Sequence, residues 1–341
     1  MFYIRADANN KIATGHVMRC MAIAKQIEAL GEPCTFLSAD DNAKEMIEEN
    51  GFNFLCLNTN WEDLDQETEV LVSLIQERKI KVLLVDSYFV TQNYLDKLSN
   101  STKVVYMDDI HRFPYPVHTV IHYGIFDKEY TYDKSNTNDK QQYLLGCDYI
   151  PLREEFKQKT APNRENISDI LITTGGTDPF NLAGNLIKRL KDSGLHLHVV
   201  SGKLNTHYKE LVDLSTQNDY VSVYTNIKNM SELMINCDVA ISAAGTTLYE
   251  LCACGVPTIS VSFADNQISG AKELDRRDII KYAGDLRTGL EGCLDKIETI
   301  LQTWEKNKKL RKEKRDKMQA LVDGNGAMRI AAYCLNLQKE E

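Results

Sequence analysis

Hydrophobic positions fall into short solid runs separated by stretches of helical period, and this alternation occurs twice along the chain. In the first half, Tyr3 to Ala6, Cys34 to Ser38, Phe54 to Leu57 and Lys81 to Val85 read as strands, with Val104 to Met107 and Thr119 to Ile121 as two more. Helices fall between them: one from Gly15, where Val17, Met18, Met21, Ile23, Ala24 and Ile27 form an apolar face, one from Asn42, and one around Leu64 to Glu77. Strands that alternate with helices imply a parallel sheet covered on both faces. The polar interval from Asp127 to Gln142 reads as a loop.

The pattern restarts at Ile167 to Thr173 and runs on through a helix from Asn181 and strands at Leu197 to Ser201, Val221 to Tyr224, Val239 to Ser242 and Thr258 to Val261. The expected fold is therefore α/β, with two Rossmann-like doubly wound domains and a cleft between them. The first domain is expected over 1–156, a linker over 157–166, the second domain over 167–325 and a C-terminal helix over 326–341. In such folds ligands sit outside the carboxyl ends of the strands.

Composition agrees with that size. A chain of 341 residues with 43% hydrophobic content can fill two cores. No run approaches the roughly 18 apolar residues of a membrane span, and the N-terminus enters a strand. The expectation is a soluble, cytoplasmic protein with no stable membrane insertion. A net charge of -9 argues against a general nucleic-acid binder. The nine cysteines are scattered, and Cys252-Ala253-Cys254 lacks paired histidines or a second cysteine pair, so no zinc site is expected. The basic stretch Lys306 to Lys317, interrupted by Glu313 and Asp316, reads as a solvated helix face.

Candidate chemistry concentrates at strand ends. Lys11 to Cys20 carries Gly15 in a turn after the first strand, His16 at the mouth of a helix and Arg19 one turn further. A histidine there can exchange a proton near neutral pH, and the helix amides favour an anion; His16 is a candidate general base, or else a cap or cleft wall. In the second half, Thr173 to Asp178 places Gly175 and Gly176 between a strand and a helix. Ser242 to Glu250 is the tighter signal: Gly245 leaves room for a diphosphate at a helix N-terminus, Thr246 and Thr247 offer hydroxyls, and Glu250 lies one turn on, either to bind a ribose or as a solvated carboxylate. Asp86-Ser87-Tyr88, Asp108-Asp109 and Ala264 to Gln267 close three other strands. Neighbouring aspartates point to opposite sides of a strand, so Asp108 and Asp109 read as one carboxylate orienting a basic group and one capping a turn, not as a metal pair. Tyr88 reads equally as a wall aromatic, and Asn266 as a turn former.

In order along the chain stand Ile4-Arg5-Ala6-Asp7, Gly15 to Cys20, Val85 to Tyr88, Met107-Asp108-Asp109, Leu145-Gly146 through Leu152-Arg153-Glu154-Glu155-Phe156, Thr174 to Asp178, Ser242 to Glu250, Asn266-Gln267 and Val322 to Ala327. Together they resemble the UDP-diacetamido-trideoxy-altropyranose hydrolases of pseudaminic acid synthesis and the related spore-coat polysaccharide proteins. That family is similar to two-domain glycosyltransferases of the B type but transfers its sugar to water. The resemblance implies His16, Tyr88 and Asn266 as catalytic residues. It implies Arg5, Asp7, Gly15, Arg19, Asp108, Arg153, Gly175, Gly176, Gly245, Thr246, Thr247, Glu250 and Gln267 as substrate-binding residues. No cofactor and no metal are implied; the partners are a UDP-sugar and the UDP released from it. Two departures stand out: Ala13 replaces a usual glycine, and Val120 to Gly124, with His122 and Tyr123, replaces an Asn-rich strand end near the expected sugar pocket.

The expected reaction is attack of water on the anomeric carbon with inversion, His16 acting as base. A glycosyltransferase using the same donor and a non-catalytic nucleotide-sugar sensor are the competing readings. A dinucleotide oxidoreductase is weakest, because no Gly-x-Gly-x-x-Gly follows a strand.

Overall fold

The computed structural model describes residues 1–9, 11–125, 141–202 and 204–340. Most of the expected loop from Asp127 to Gln142 lies outside them. Met1–Gly124, the segment ending at Arg153 and the chain from Asn325 form one compact unit, and Ile125 with Glu154–Gly324 forms a second.

The first unit is built on β1 (Phe2–Ala6), β2 (Cys34–Ser38), β3 (Asn53–Cys56), β4 (Val82–Asp86), β5 (Lys103–Met107), β6 (Thr119–His122) and β7 (Gln142–Leu145). These seven strands lie parallel in the order β3-β2-β1-β4-β5-β6-β7. Helices α1 (Gly15–Ala29), α2 (Lys44–Glu49), α3 (Thr68–Arg78) and α4 (Gln92–Ser99) make the crossovers. Strand order reverses between β1 and β4, and Ala6 is paired with Asp86 at their carboxyl ends. A doubly wound sheet opens its crevice at such a reversal, which puts the turn before α1 and the loop after β4 side by side.

The second unit repeats the plan with β8 (Asp169–Thr173), β9 (His196–Val200), β10 (Val221–Tyr224), β11 (Val239–Ala243), β12 (Thr258–Ser262) and β13 (Lys281–Asp285), in the order β10-β9-β8-β11-β12-β13. Its helices are α5 (Leu182–Arg189), α6 (Tyr208–Gln217), α7 (Met230–Asn236), α8 (Thr247–Cys254), α9 (Asp265–Arg276), α10 (Leu290–Glu305) and α11 (Lys308–Leu321). Here the reversal falls between β8 and β11, where Thr173 is paired with Ser242, so the turns at Thr174 to Asp178 and Ala244 to Thr246 flank it. The last helix, α12 (Gly326–Lys339), belongs to the first unit and packs along α1. Gly326 permits this approach: a Cβ there would stand 2.1 Å from the carbonyl oxygen of Ile150.

Both sheets owe their burial to the solid apolar runs. Residues of β1, β2, β4, β11 and β12 are buried throughout, and the core of the second unit runs from Ile170 and Ile172 through Leu186 and Val239 to Trp304. Each fully buried Leu, Ile or Val contributes roughly 1.5–3 kcal/mol over exposure.

Several elements differ from the sequence reading. The stretch from Leu64 opens as a 3₁₀ turn over Leu64–Glu67 before α3 begins. Strands β7 and β13 and helix α4 were not expected; both strands lie at sheet edges. The helix after β8 starts at Leu182, capped by Asp178, whose two carboxylate oxygens accept from the amides of Leu182 and Ala183 at 2.8 and 3.0 Å. The basic stretch is only partly a solvated face. Arg311, 2% exposed, donates to the carbonyls of Trp304, Arg164 and Glu165, and fully buried Lys314 donates to the carbonyl and carboxylate of Asp278. Buried cations of this kind act as internal ties on chain ends that would otherwise leave carbonyls unpaired.

Candidate active site

At the reversal point of the first sheet, α1 begins without a side-chain cap and without an acidic residue in its first turn, so its positive end stays open. His16 is on that first turn and is buried to 5% exposure. Its Nδ1 lies 2.5 Å from Asp86 Oδ1, at the end of β4. An ionised carboxylate can only accept, which assigns the Nδ1 proton to this bond, so that the neutral imidazole carries its lone pair on Nε2. Arg19 Nη2 also lies 3.3 Å from Nδ1. Because a guanidinium only donates, that longer approach is not a hydrogen bond to a protonated Nδ1, and the shorter carboxylate contact decides the tautomer.

Asp86 is held as an anion by its neighbours. Burial alone would push its carboxyl up, but Arg19 and then His16 overrule burial and hold it well below the usual carboxylate range. Arg19 grips both oxygens, Nε to Oδ2 at 2.6 Å and Nη2 to Oδ1 at 2.5 Å, and the Cys20 thiol adds a weak donor at 3.5 Å. The third nitrogen of the fork, Nη1, donates to Asp109 Oδ2 at 2.6 Å and to the hydroxyl of Tyr123. Tyr88 then closes a ring of contacts: its hydroxyl donates to Asp109 Oδ2 at 3.1 Å, and its ring stands edge-on to His16. Burial, with Asp109 next, raises the Tyr88 phenol far above its ordinary value, so it is a donor at any working pH.

Asp108 and Asp109 divide their work. Asp109 orients Arg19, while Asp108 is buried and caps the following turn, accepting from the amides of Ile110 and His111 at 3.0 Å each and from the Tyr115 hydroxyl at 2.8 Å. Arg5 has no exposed surface. Its fork is occupied by Glu67, at 2.7 Å from both Nε and Nη2, and by Asp7 at 2.6 Å. Asp7 also accepts from the amide of Ala39 at 2.8 Å, so the pair ties the end of β1 to the chain leaving β2. Gly15 is exposed and Arg153 half-buried.

Ala13 adopts φ +58°, the left-handed region that suits glycine. Inside the same turn, Asn9 Oδ1 accepts from the amides of Lys11 and Ile12 at 2.8 and 3.1 Å.

In the second unit, Gly175 has φ +79°, which the turn after β8 requires, and Gly202 packs so tightly that a Cβ would stand 2.5 Å from the Gly176 carbonyl oxygen. Gly176 is exposed. Gly245 and Thr246 are exposed at the entrance to α8, Thr246 makes no side-chain cap bond, and Thr247 and Glu250 are half-buried. The open amides of this helix start suit an anionic group. Asn266 is exposed on the first turn of α9, whereas Gln267 Oε1 accepts from the amide of Phe263 at 2.9 Å, holding the turn before the helix.

Each unit thus gathers its own candidates: His16, Arg19 and Tyr88 with Arg5, Asp7 and Asp108 beneath and beside them in the first, and the glycine and threonine turns with Glu250, Asn266 and Gln267 in the second. The sequence reading of Asp108 and Asp109 as one orienting and one capping carboxylate agrees with the division of work between them; it gave no role to Asp86, noted Tyr123 only as a departure near the expected sugar pocket, and did not single out Glu67. Asp86 carried one signal, its position at the end of a solid apolar strand.

A pair of parallel sheets each opened at its reversal point is the B-type glycosyltransferase architecture. Acinetobacter baumannii MurG has this fold, with a TM-score of 0.72 at 15% identity, over 98% of this chain and 100% of that one. Residues 170–325 match the glycosyltransferase family 28 C-terminal domain. The resemblance carried by the ordered motifs is borne out among curated proteins. A Helicobacter pylori protein named pseudaminic acid cytidylyltransferase and UDP-2,4-diacetamido-2,4,6-trideoxy-beta-L-altropyranose hydrolase is 28% identical over 86% of this chain and 50% of its own length. The Campylobacter jejuni UDP-2,4-diacetamido-2,4,6-trideoxy-beta-L-altropyranose hydrolase is 24% identical over 80% of this chain and 95% of its own. The chain spans about half the length of the Helicobacter relative and of one from Methanocaldococcus jannaschii, at 50% and 54%. Among the described residues, no helix is long and apolar enough to cross a membrane.

Proposed function

We propose that this chain processes a UDP-linked sugar by hydrolysis, releasing UDP from UDP-2,4-diacetamido-2,4,6-trideoxy-β-L-altropyranose or a close analogue. The observation that carries the reading is the contact of His16 Nδ1 with an ionised, Arg19-clamped Asp86, which leaves Nε2 as a base. The names of the Helicobacter and Campylobacter relatives support the substrate and the use of water.

The division of labour follows the two units. The second, over 167–325, takes the nucleotide: the open start of α8 at Gly245, Thr246 and Thr247 receives the diphosphate, Glu250 accepts from ribose hydroxyls, and the turn at Gly175 and Gly176 brings backbone amides close to the ligand. In the first unit His16 Nε2 removes a proton from water as the water oxygen bonds to the anomeric carbon. The carbon–oxygen bond to the diphosphate breaks, and its electron pair leaves on UDP. A single displacement inverts the anomeric centre. Amide and hydroxyl donors around Gly245 stabilise the charge that grows on the leaving group. Tyr88 and Asn266 contribute polar contacts to the reacting sugar.

Proton NMR of the protein with this UDP-sugar, beside His16→Ala, tests the reading. Free sugar of inverted anomeric configuration together with UDP, slowed about 100- to 10,000-fold in the variant while UDP still binds, is the expected result. Equal loss of UDP binding and turnover would make His16 a binding residue. A second reading, transfer of the sugar to an acceptor hydroxyl, draws support from the family 28 domain match. Product formed on a supplied acceptor in preference to water would establish it.

A further inference from the structure

We infer that Arg19 is a positioning residue that fixes the tautomer and orientation of His16 through Asp86, in place of the substrate contact its motif suggested. The inference rests on the reading of His16 as the base. Its ground is that the polar nitrogens of Arg19 are already engaged by protein. Nε and Nη2 meet the two oxygens of Asp86 at 2.6 and 2.5 Å in a fork-to-fork pair, and Nη1 meets Asp109 Oδ2 at 2.6 Å and the Tyr123 hydroxyl. The side chain is 12% exposed, the Tyr123 ring covers its guanidinium at 5.3 Å, and its anchors follow three different strands.

The consequence for His16 is geometric. A lone carboxylate can rotate and can present either oxygen to an imidazole. With both oxygens gripped, Oδ1 of Asp86 has one place to be, 2.5 Å from Nδ1, and the ring must direct Nε2 away from the protein network. Asp109 serves as the second post of the clamp, because it also receives the Tyr88 hydroxyl and so sets the ring that edges His16. Lysine at 19 would keep the charge but not the fork, since an ammonium cannot hold two carboxylates in plane.

The test pairs kinetics with nitrogen-15 spectra of labelled histidine in the ligand-free protein, the His16 signals being assigned by their loss in His16→Ala. Arg19→Lys, Arg19→Met and Asp109→Asn are compared with wild type, Asp109→Asn because it weakens the clamp while leaving Arg19, Asp86 and His16 intact. The expected result is a His16 ring protonated at Nδ1 in wild type and a mixture of tautomers in Arg19→Met, with Arg19→Lys and Asp109→Asn between them. In the same order kcat falls, by about a hundredfold for Arg19→Met, while KM for the UDP-sugar and the affinity for UDP stay within about twofold. An unchanged tautomer in Arg19→Met, or a rise in KM or UDP dissociation constant with kcat retained, overturns the inference and returns Arg19 to the substrate. Should Arg19→Met fail to fold, Asp109→Asn and Arg19→Lys carry the comparison. Full turnover in His16→Ala would sink the base assignment separately, and the tautomer comparison would still decide what Arg19 does to the ring.

Discussion

His16 and Tyr88 meet edge to face, with ring centroids 4.3 Å apart and planes at 80°. The contact leaves the Tyr88 hydroxyl on Asp109 and its flank 38% exposed, so one aromatic both props the imidazole and lines the opening beside it. Tyr88→Phe keeps the ring contact and removes the hydroxyl; Tyr88→Ala removes both. If the prop is what counts for turnover, kcat falls by a few-fold in the first and by about a further fivefold in the second, the edge contact being worth about 1 kcal/mol. Equal losses in steady-state assays would assign the effect to the hydroxyl alone.

Asp86→Asn tests the carboxylate. An amide at this position can donate to Nδ1 and so select the wrong tautomer, and comparable replacements in serine proteases cost about 10,000-fold in kcat. A loss on the order of a thousandfold or more, with UDP affinity unchanged in calorimetry, is expected. A loss below tenfold would mean that the Asp86 contact does not set the base.

The same residue predicts a pH dependence of stability. Arg19 and His16, acting against burial, hold the folded carboxyl well below its unfolded value near 4, so its stabilising contribution is complete above that value. It drains away only as the pH falls below about 4, toward the folded value. Urea midpoints of wild type and Asp86→Asn should therefore differ by a constant amount from pH 7 to pH 5 and converge below pH 4. A gap that closes already between pH 7 and 5 would place the titration on another group.

Ala13 carries a side chain through φ +58° in an exposed turn. The left-handed region costs an L-residue about 1–2 kcal/mol, and glycine gives back about 0.4–1 kcal/mol through its looser unfolded state. Ala13→Gly should then raise unfolding free energy by about 0.5 kcal/mol in urea titration. A fall would mean that the methyl group stiffens the turn by more than its strain costs.

None of the nine cysteines is paired in a disulfide, and seven are buried. Burial pushes Cys34, Cys254 and Cys334 up to about 12, leaving almost no thiolate at pH 8. Titration of the native protein with a disulfide reagent at pH 8 should modify Cys56 and Cys147, both partly exposed, and reach the others only on unfolding. Rapid reaction of more than two thiols would show that one of the cores opens on the timescale of the assay.

The sheets were legible because their inner strands are solid apolar runs whose ends barely move: Cys34 to Ser38 matches to the residue, and Val239 to Ser242 and Thr258 to Val261 each fall one residue short. Edge strands carry less of that signal. Lys281-Tyr282-Ala283-Gly284-Asp285 has one buried residue and a glycine, and Gln142 to Leu145 follows a polar stretch that outweighs it. The site was legible where chemistry sits within one motif, as with His16 and Arg19. It was hidden where it depends on register: Asp86 lies 70 residues from His16 and meets it only because β4 pairs beside β1. Arg311 and Lys314 were misread for a related reason, since a charge pattern along a helix does not reveal which carbonyls lie beneath it.

Asp86 ends β4, Asp109 follows β5 and Tyr123 follows β6, yet all three are fastened to the one side chain of Arg19 on α1. A slip of any of these strands by one residue would turn its anchor to the other face of the sheet. The base is thereby coupled to correct assembly. A first unit that collapsed with its strands misaligned could bury as much apolar surface and still be inert, so that in this molecule activity itself certifies the fold.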